Sequence, residues 1–522
     1  MAISNPILIQ LGGQPLHLAD WLPEDQTVVY FSDQEVLSET ENEAGLFLGG
    51  KLNSQYDQAR FLIPADSKVV NQLELVAKFP ANSVVIDDRV AVNESDRALL
   101  RLQNVRYLSF QVPAELAREL NLNFFQGQAG FLFHTRDFQY AAELVTEIEQ
   151  RGATQLIFHG VSDTKLQWLG SFTSRLFEAQ VPAQWELMPE CDVSDDQTEI
   201  EYHIHLDATQ SNHHQTLVIK GDQLHQTTVL PPITENTNVS LSVFGRGTGD
   251  ITIGPVHLRR SHGQHGFMMI GGENQILDRH LNQELIFYFN AGDRQPPLNV
   301  YFSGYRPNEG FEGQFMMSRL EAPYVLINDP RLVGGDFYVG SKELEASIPK
   351  YIHERLAELK FDPHDLILSG LSMGSFAALY YAADLKPIAV IVGKPLIHLG
   401  TIAANSRIKR PDDFDVSLDM LLSWTGGTTD EDIQRANQIF WRKFKTGDFS
   451  RTQFDIVYMK DDDYDQNAFQ VLNDYLIQNF PGAPVIHKGL IGRHNDQTNE
   501  VVKWFISQYQ RVLTQYFNRH FD

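Results

Sequence analysis

One cysteine, Cys191, stands in a chain of 522 residues. No intramolecular disulfide can form, which excludes the disulfide-stapled secreted scaffolds. Basic residues are also scarce, 42 against 67 acidic ones, for a formal charge of −25. That balance argues against nucleic acid, and against an anionic membrane surface as a purely electrostatic partner. No apolar run nears the roughly 18 residues that a bilayer-spanning helix requires. The first Lys or Arg is Lys51, so the positively charged start of a secretory signal peptide is missing. The expectation is a cytoplasmic protein of roughly two to four domains.

What is present is more telling. The apolar run Leu366-Ile367-Leu368 leads into Gly370-Leu371-Ser372-Met373-Gly374, and Ser375 to Ala383 then reads as a helix rich in small residues. Strand, G-x-S-x-G and helix, in that order, form the nucleophile elbow of an α/β-hydrolase-type site. The sharp turn lifts the serine hydroxyl clear of the sheet, and its flanking glycines avoid collisions with the neighbouring strand and helix. Ser372 is therefore the candidate nucleophile.

A nucleophilic serine needs a base, and the base needs an orienting acid. In this fold both follow later in the chain, each after a further strand. Phe454 to Met459 reads as a strand running into Lys460-Asp461-Asp462-Asp463-Tyr464-Asp465, and Pro484 to His487 reads as another, followed by the loop Gly489 to Asp496. His494 in that loop is the candidate base. His487 lies inside a strand, His398 follows a different strand, and His353 falls in the helix before the elbow. Asp462, where the strand should have just ended, is the preferred acid, with Asp463 and Asp465 as alternatives. A calcium loop through Asp461, Asp463 and Asp465 is disfavoured, because Gln466 and Leu472 stand where glycine and glutamate belong. No metal and no bound cofactor are expected. For the oxyanion, Met373 offers its backbone N–H, and the Ser303–Tyr305 turn, centred on Gly304, offers a second.

Three segments differ in pattern. Residues 1–192 alternate short apolar strands with helical stretches such as Ala141 to Arg151, which predicts an α/β domain. Residues 197–275 alternate apolar and polar and predict an all-β, sandwich-like module, with most of the histidines read as solvated. Its strands carry two aromatics, Tyr202 and Phe244, as candidates for contact with carbohydrate. Residues 276–522 read as the α/β-hydrolase-like catalytic domain. Its 394–452 segment, about 60 residues against the usual connection of two to six, predicts an insertion over the serine.

With these motifs placed, the whole chain resembles the family of the second accessory secretory protein of the accessory Sec system in Gram-positive bacteria. Tyr458 to Asp465 and Gly492-Arg493-His494-Asn495-Asp496 carry most of that likeness, beside the elbow. The resemblance implies an O-acetyltransferase acting on N-acetylglucosamine of serine-rich-repeat adhesins, with Ser372 and His494 as nucleophile and base and an acetyl donor left unidentified. It implies partners: the other accessory secretory proteins, the SecA-type motor and the glycosylated adhesin. It also implies a cytoplasmic location or one peripheral to the inner face of the cell membrane. Two alternatives stand beside it: a carbohydrate esterase with the same Ser-His-Asp triad, and a non-catalytic scaffold of the export complex.

Overall fold

The chain folds into three sheet-based units, and their order in sequence is α/β, β-sandwich, α/β. The computed structural model describes residues 4–37, 45–141, 147–160, 163–178, 183–409 and 415–521. In the first unit, short apolar runs separated by turns become five parallel strands. Their spatial order is Val28–Phe31, Leu8–Leu11, Arg60–Ile63, Val84–Asp87, Arg106–Leu108. Strands Leu8–Leu11 and Val84–Asp87 are buried throughout and Arg60–Ile63 is buried after its first residue, as expected for a parallel sheet.

The β unit is larger than its sequence pattern announced. It opens at strand Gly130–Phe133 and closes at Ile251–Arg260, instead of spanning 197–275. The acidic stretch around Cys191 is no boundary: Cys191 lies buried in strand Trp185–Val193, paired with Ile251–Arg260. The helical reading of Ala141 to Arg151 also fails where it is described. Glu147–Arg151 is a strand, antiparallel to Gln155–His159, across a turn whose Gly152 sits at φ 67°. Residues 142–146 lie outside the described residues. Two sheets face each other over a core that includes Tyr202, Ile204, Leu241, Ile253 and Leu258. Tyr202 is thus core and offers no sugar platform, whereas Phe244 is half-buried against the His203 ring. Three of the histidines read as solvated, His257, His262 and His265, are buried.

The third unit holds eight strands: β1 (Gly272–Asp278), β2 (Gln283–Asn290), β3 (Leu298–Phe302), β4 (Tyr324–Asn328), β5 (Leu366–Leu371), β6 (Ala389–Gly393), β7 (Gln453–Met459) and β8 (Val485–Leu490). Their spatial order is β1-β2-β4-β3-β5-β6-β7-β8, with β2 antiparallel to both of its neighbours, β1 and β4, and all other neighbouring pairs parallel. This is an α/β-hydrolase-like sheet, and helices α1 (Lys342–Leu359), α2 (Met373–Leu385), α6 (Ala468–Asn479) and α7 (Thr498–Phe517) supply its crossovers and final cover. Between β6 and β7 the described residues of the long insertion form three helices, α3 (Leu399–Lys409), α4 (Ser417–Thr425) and α5 (Asp430–Phe444). Phe440 and Phe444 of α5 and Met420 of α4 join the same core as Phe376 and Tyr380 of α2. The insertion is therefore packed onto the domain through its own apolar face.

Candidate active site

β5 ends in a turn that only this glycine pattern permits. A Cβ on Gly370 would lie 2.3 Å from the Gly374 carbonyl carbon, and one on Gly374 would lie 2.0 Å from the Phe302 oxygen at the end of β3. Ser372 between them adopts φ 54°, ψ −120°, a strained conformation for a side-chain-bearing residue. The turn starts α2, so the Met373 N–H is one of the helix's unpaired amino-terminal donors.

The Ser372 hydroxyl reaches His494 Nε2 at 2.9 Å. Across the ring, His494 Nδ1 contacts Asp462 Oδ2 at 2.8 Å. The other Asp462 oxygen accepts the backbone N–H of Tyr464 at 2.9 Å and of Asp465 at 3.2 Å, which fixes the carboxylate plane. His494 is 2% exposed, Asp462 5%. Serine hydroxyl, imidazole and buried carboxylate thus form one continuous line, in the chain order of an α/β hydrolase.

The neighbouring aspartates have separate tasks. Asp461 accepts the Gly492 N–H at 3.3 Å, and Asp463 accepts the His494 N–H at 3.0 Å, so both hold the histidine loop by its backbone. Asp465 turns the other way. It accepts the N–H groups of Ile397 and His398, each at 2.8 Å, and bonds the His398 ring at 2.7 Å. The structure therefore takes Asp463 and Asp465 away from the imidazole that Asp462 orients, and it gives His398 an acid of its own.

Ser372 opens into a cavity of about 410 Å³, whose lining includes Gly304, Glu312, Met373, Lys394, Ile402 and His494. Ile402 comes from α3, so the insertion contributes directly to the wall. Lys394 follows β6 and is 6% exposed, with its Nζ 3.2 Å from Thr498 Oγ1. Burial pushes its ammonium below the usual lysine value, opposed by the charges of Asp462 and Asp496. Gly304 is where the sequence placed it, at the turn after β3. Its N–H, however, already donates to Glu312 Oε2 at 2.8 Å. Sequence reasoning passed over Glu312 and Lys394, because neither sits in a recognisable spacing relative to the elbow.

The loop that carries Gly304 and Glu312 is fastened from outside the domain. Glu309 is bonded by His257 Nδ1 and by Arg259 Nε, both at 2.7 Å and both from the last strand of the β unit. Arg259 also pairs with Glu284 of β2 at 2.5 Å. Gln128 accepts the Phe311 N–H at 2.5 Å. Behind the elbow, Leu332, Val333, Phe337 and Tyr338 all take positive φ. The Asp329 carboxylate organises this segment, accepting N–H groups of Arg331, Asp336 and Tyr338.

Comparison with known proteins points one way. The family described as accessory Sec system GspB-transporter matches residues 9–519. An accessory Sec system protein of Staphylococcus aureus, the second of its accessory secretory proteins, is 36% identical over 474 residues, 90% of this chain and 88% of that protein. Its counterpart from Streptococcus gordonii is 44% identical over 282 residues, 54% of each chain. Among solved structures, a chain of the glycosylation-associated Gap123 complex from Streptococcus agalactiae superposes with a TM-score of 0.84 at 31% identity. That match covers 99% of this chain and 100% of the other.

Proposed function

The chain belongs to the family of the second accessory secretory protein of the accessory Sec system, and we propose that it is a serine-dependent acyltransferase within that export system. The observation that carries the reading is the unbroken line Ser372–His494–Asp462, opening on a cavity. His494 Nε2 takes the Ser372 proton as Oγ bonds to the acyl carbon. The carbonyl electron pair moves to oxygen, held by the Met373 N–H and, once free, the Gly304 N–H. The leaving group departs with the proton from His494, leaving an acyl-serine. His494 then deprotonates an acceptor hydroxyl, which takes the acyl group and restores Ser372.

The acceptor we propose is a hydroxyl of N-acetylglucosamine on a serine-rich-repeat adhesin, with acetyl as the group transferred. With water as acceptor, the same residues give a carbohydrate esterase. A purely scaffolding role leaves the fixed Asp462 carboxylate and the strained Ser372 without purpose. The partners proposed are the other accessory secretory proteins, the SecA-type motor and the adhesin. Among the described residues no helix is long and apolar enough to cross a membrane, in keeping with work at the inner face of the membrane through those partners.

Mass spectrometry of glycans on the co-expressed adhesin tests this, with wild type and Ser372→Ala side by side. The expected result is an increment of about 42 Da per acetyl group that disappears in the variant. Identical glycans in both would overturn the transferase reading.

A further inference from the structure

The second oxyanion donor is already in use. Gly304 has one N–H, and it donates to the Glu312 carboxylate at 2.8 Å. Gly304, Glu312, Ser372, Met373 and His494 line the same cavity, so the carboxylate occupies ground next to the reacting serine. The Glu312 backbone N–H is held by Ser303 Oγ at 3.2 Å. A tetrahedral oxyanion and a carboxylate cannot share one donor proton. Both are anions, and at hydrogen-bonding range to one N–H their charges repel.

Resting on the reading of Ser372 as nucleophile, we propose that Glu312 is a specificity-determining latch on the oxyanion hole. In the resting chain it withholds the Gly304 amide from an acyl carbonyl. The site acylates only when an incoming substrate displaces the side chain. The loop itself is pinned at Glu309 and Phe311, so what has to move is the Glu312 side chain rather than the loop. A small ester that cannot make the displacing contacts meets a hole with one donor. A substrate that fills the cavity meets two.

The test uses the full chain and p-nitrophenyl acetate as probe, with the rate of p-nitrophenol release followed before steady state. Charge-assisted hydrogen bonds are about twice as strong as neutral ones, so Glu312→Gln should hold the amide more loosely and acylate faster than wild type. Glu312→Ala should free it altogether. Removing one oxyanion donor costs on the order of 10²–10³ in rate, so restoring it should raise acylation by about tenfold or more. Thermal unfolding midpoints accompany each rate, because a merely structural glutamate would lower the midpoint without speeding the chemistry. Glu312→Gln is isosteric and decides the matter if Glu312→Ala does not fold. Acylation at or below the wild-type rate in the folded variants overturns the latch. Acylation that survives Ser372→Ala in the Glu312→Gln background overturns the nucleophile reading, and the latch with it. Faster release that vanishes with Ser372→Ala supports both.

Discussion

Two acid-bearing loops converge on Ser372, and they are held in opposite ways. The loop after β7 is secured from within its own domain. Asp461, Asp462 and Asp463 each bind the histidine loop that follows β8, and Asp465 binds the segment after β6. The loop after β3 is secured from elsewhere, by Glu309 in the β unit's His257 and Arg259 and by Gln128 ahead of that unit. The proposed base and its acid are therefore held locally, whereas the proposed oxyanion side of the site depends on contacts from a neighbouring unit. Acid–base chemistry and oxyanion stabilisation should then respond differently to perturbation of the β unit.

The largest expected effect lies on the local side. Asp462→Asn keeps the shape of the side chain but favours the wrong imidazole tautomer, and should lower the acyl-transfer kcat about 10⁴-fold with little change in KM. An equal loss in Asp465→Asn would break the division of labour between these aspartates. Next in size is Glu309→Gln, which removes the buried carboxylate that Arg259 and His257 share and leaves Arg259 with Glu284 and His257 with Glu190. Breaking such a pair costs about 3–5 kcal/mol, readable by denaturant unfolding, and should slow acylation.

A smaller effect follows from pH. Burial alone would lower His257, but the Glu309 carboxylate holds it up at about 9, against an ordinary 6.5. Burial alone would raise Glu309, but Arg259 and His257 hold it at about 2, against 4.5. A raised histidine stabilises fully below its unfolded value, and that contribution is lost as pH climbs through about 9. A depressed carboxylate stabilises above its unfolded value, and that contribution is lost as pH falls towards 2. The anchor is complete between about 4.5 and 6.5. The unfolding midpoint should decline from pH 6.5 to 9, and the decline should shrink in His257→Gln. Smallest of all, Asp465→Asn should change kcat less than about tenfold, since it releases His398 and leaves His494 oriented.

The same contrast governs what could be read in the sequence. The elbow was legible because its constraints are local: Gly370 and Gly374 collide with atoms of the turn and of the adjacent strand if they carry a side chain. His494 was legible because a loop after the last strand is where the fold delivers a base. Asp462 could be preferred but not separated from Asp463 and Asp465, because four acids at one strand end look alike until backbone N–H groups select among them. Glu312 left no trace, since eight residues of irregular loop decide that it returns to Gly304. The β unit was under-read because its early strands find partners far along the chain, as when Gly130 pairs with Arg259. Without those partners, Glu147 to Arg151 carries as good a helical pattern as a strand one.

Glu309 also bears on how this molecule can be divided. By topology the eight-stranded sheet is a separate piece, starting at Gly272 and complete in its crossovers. A fragment cut there would keep Ser372, His494 and Asp462, yet it would carry a buried glutamate stripped of His257 and Arg259, beside a Phe311 stripped of Gln128. Such a piece would be a hydrolase in outline with a slack oxyanion side. Any lineage that swapped or shed the β unit would have had to re-moor that loop at the same time, which ties the inheritance of the three units together.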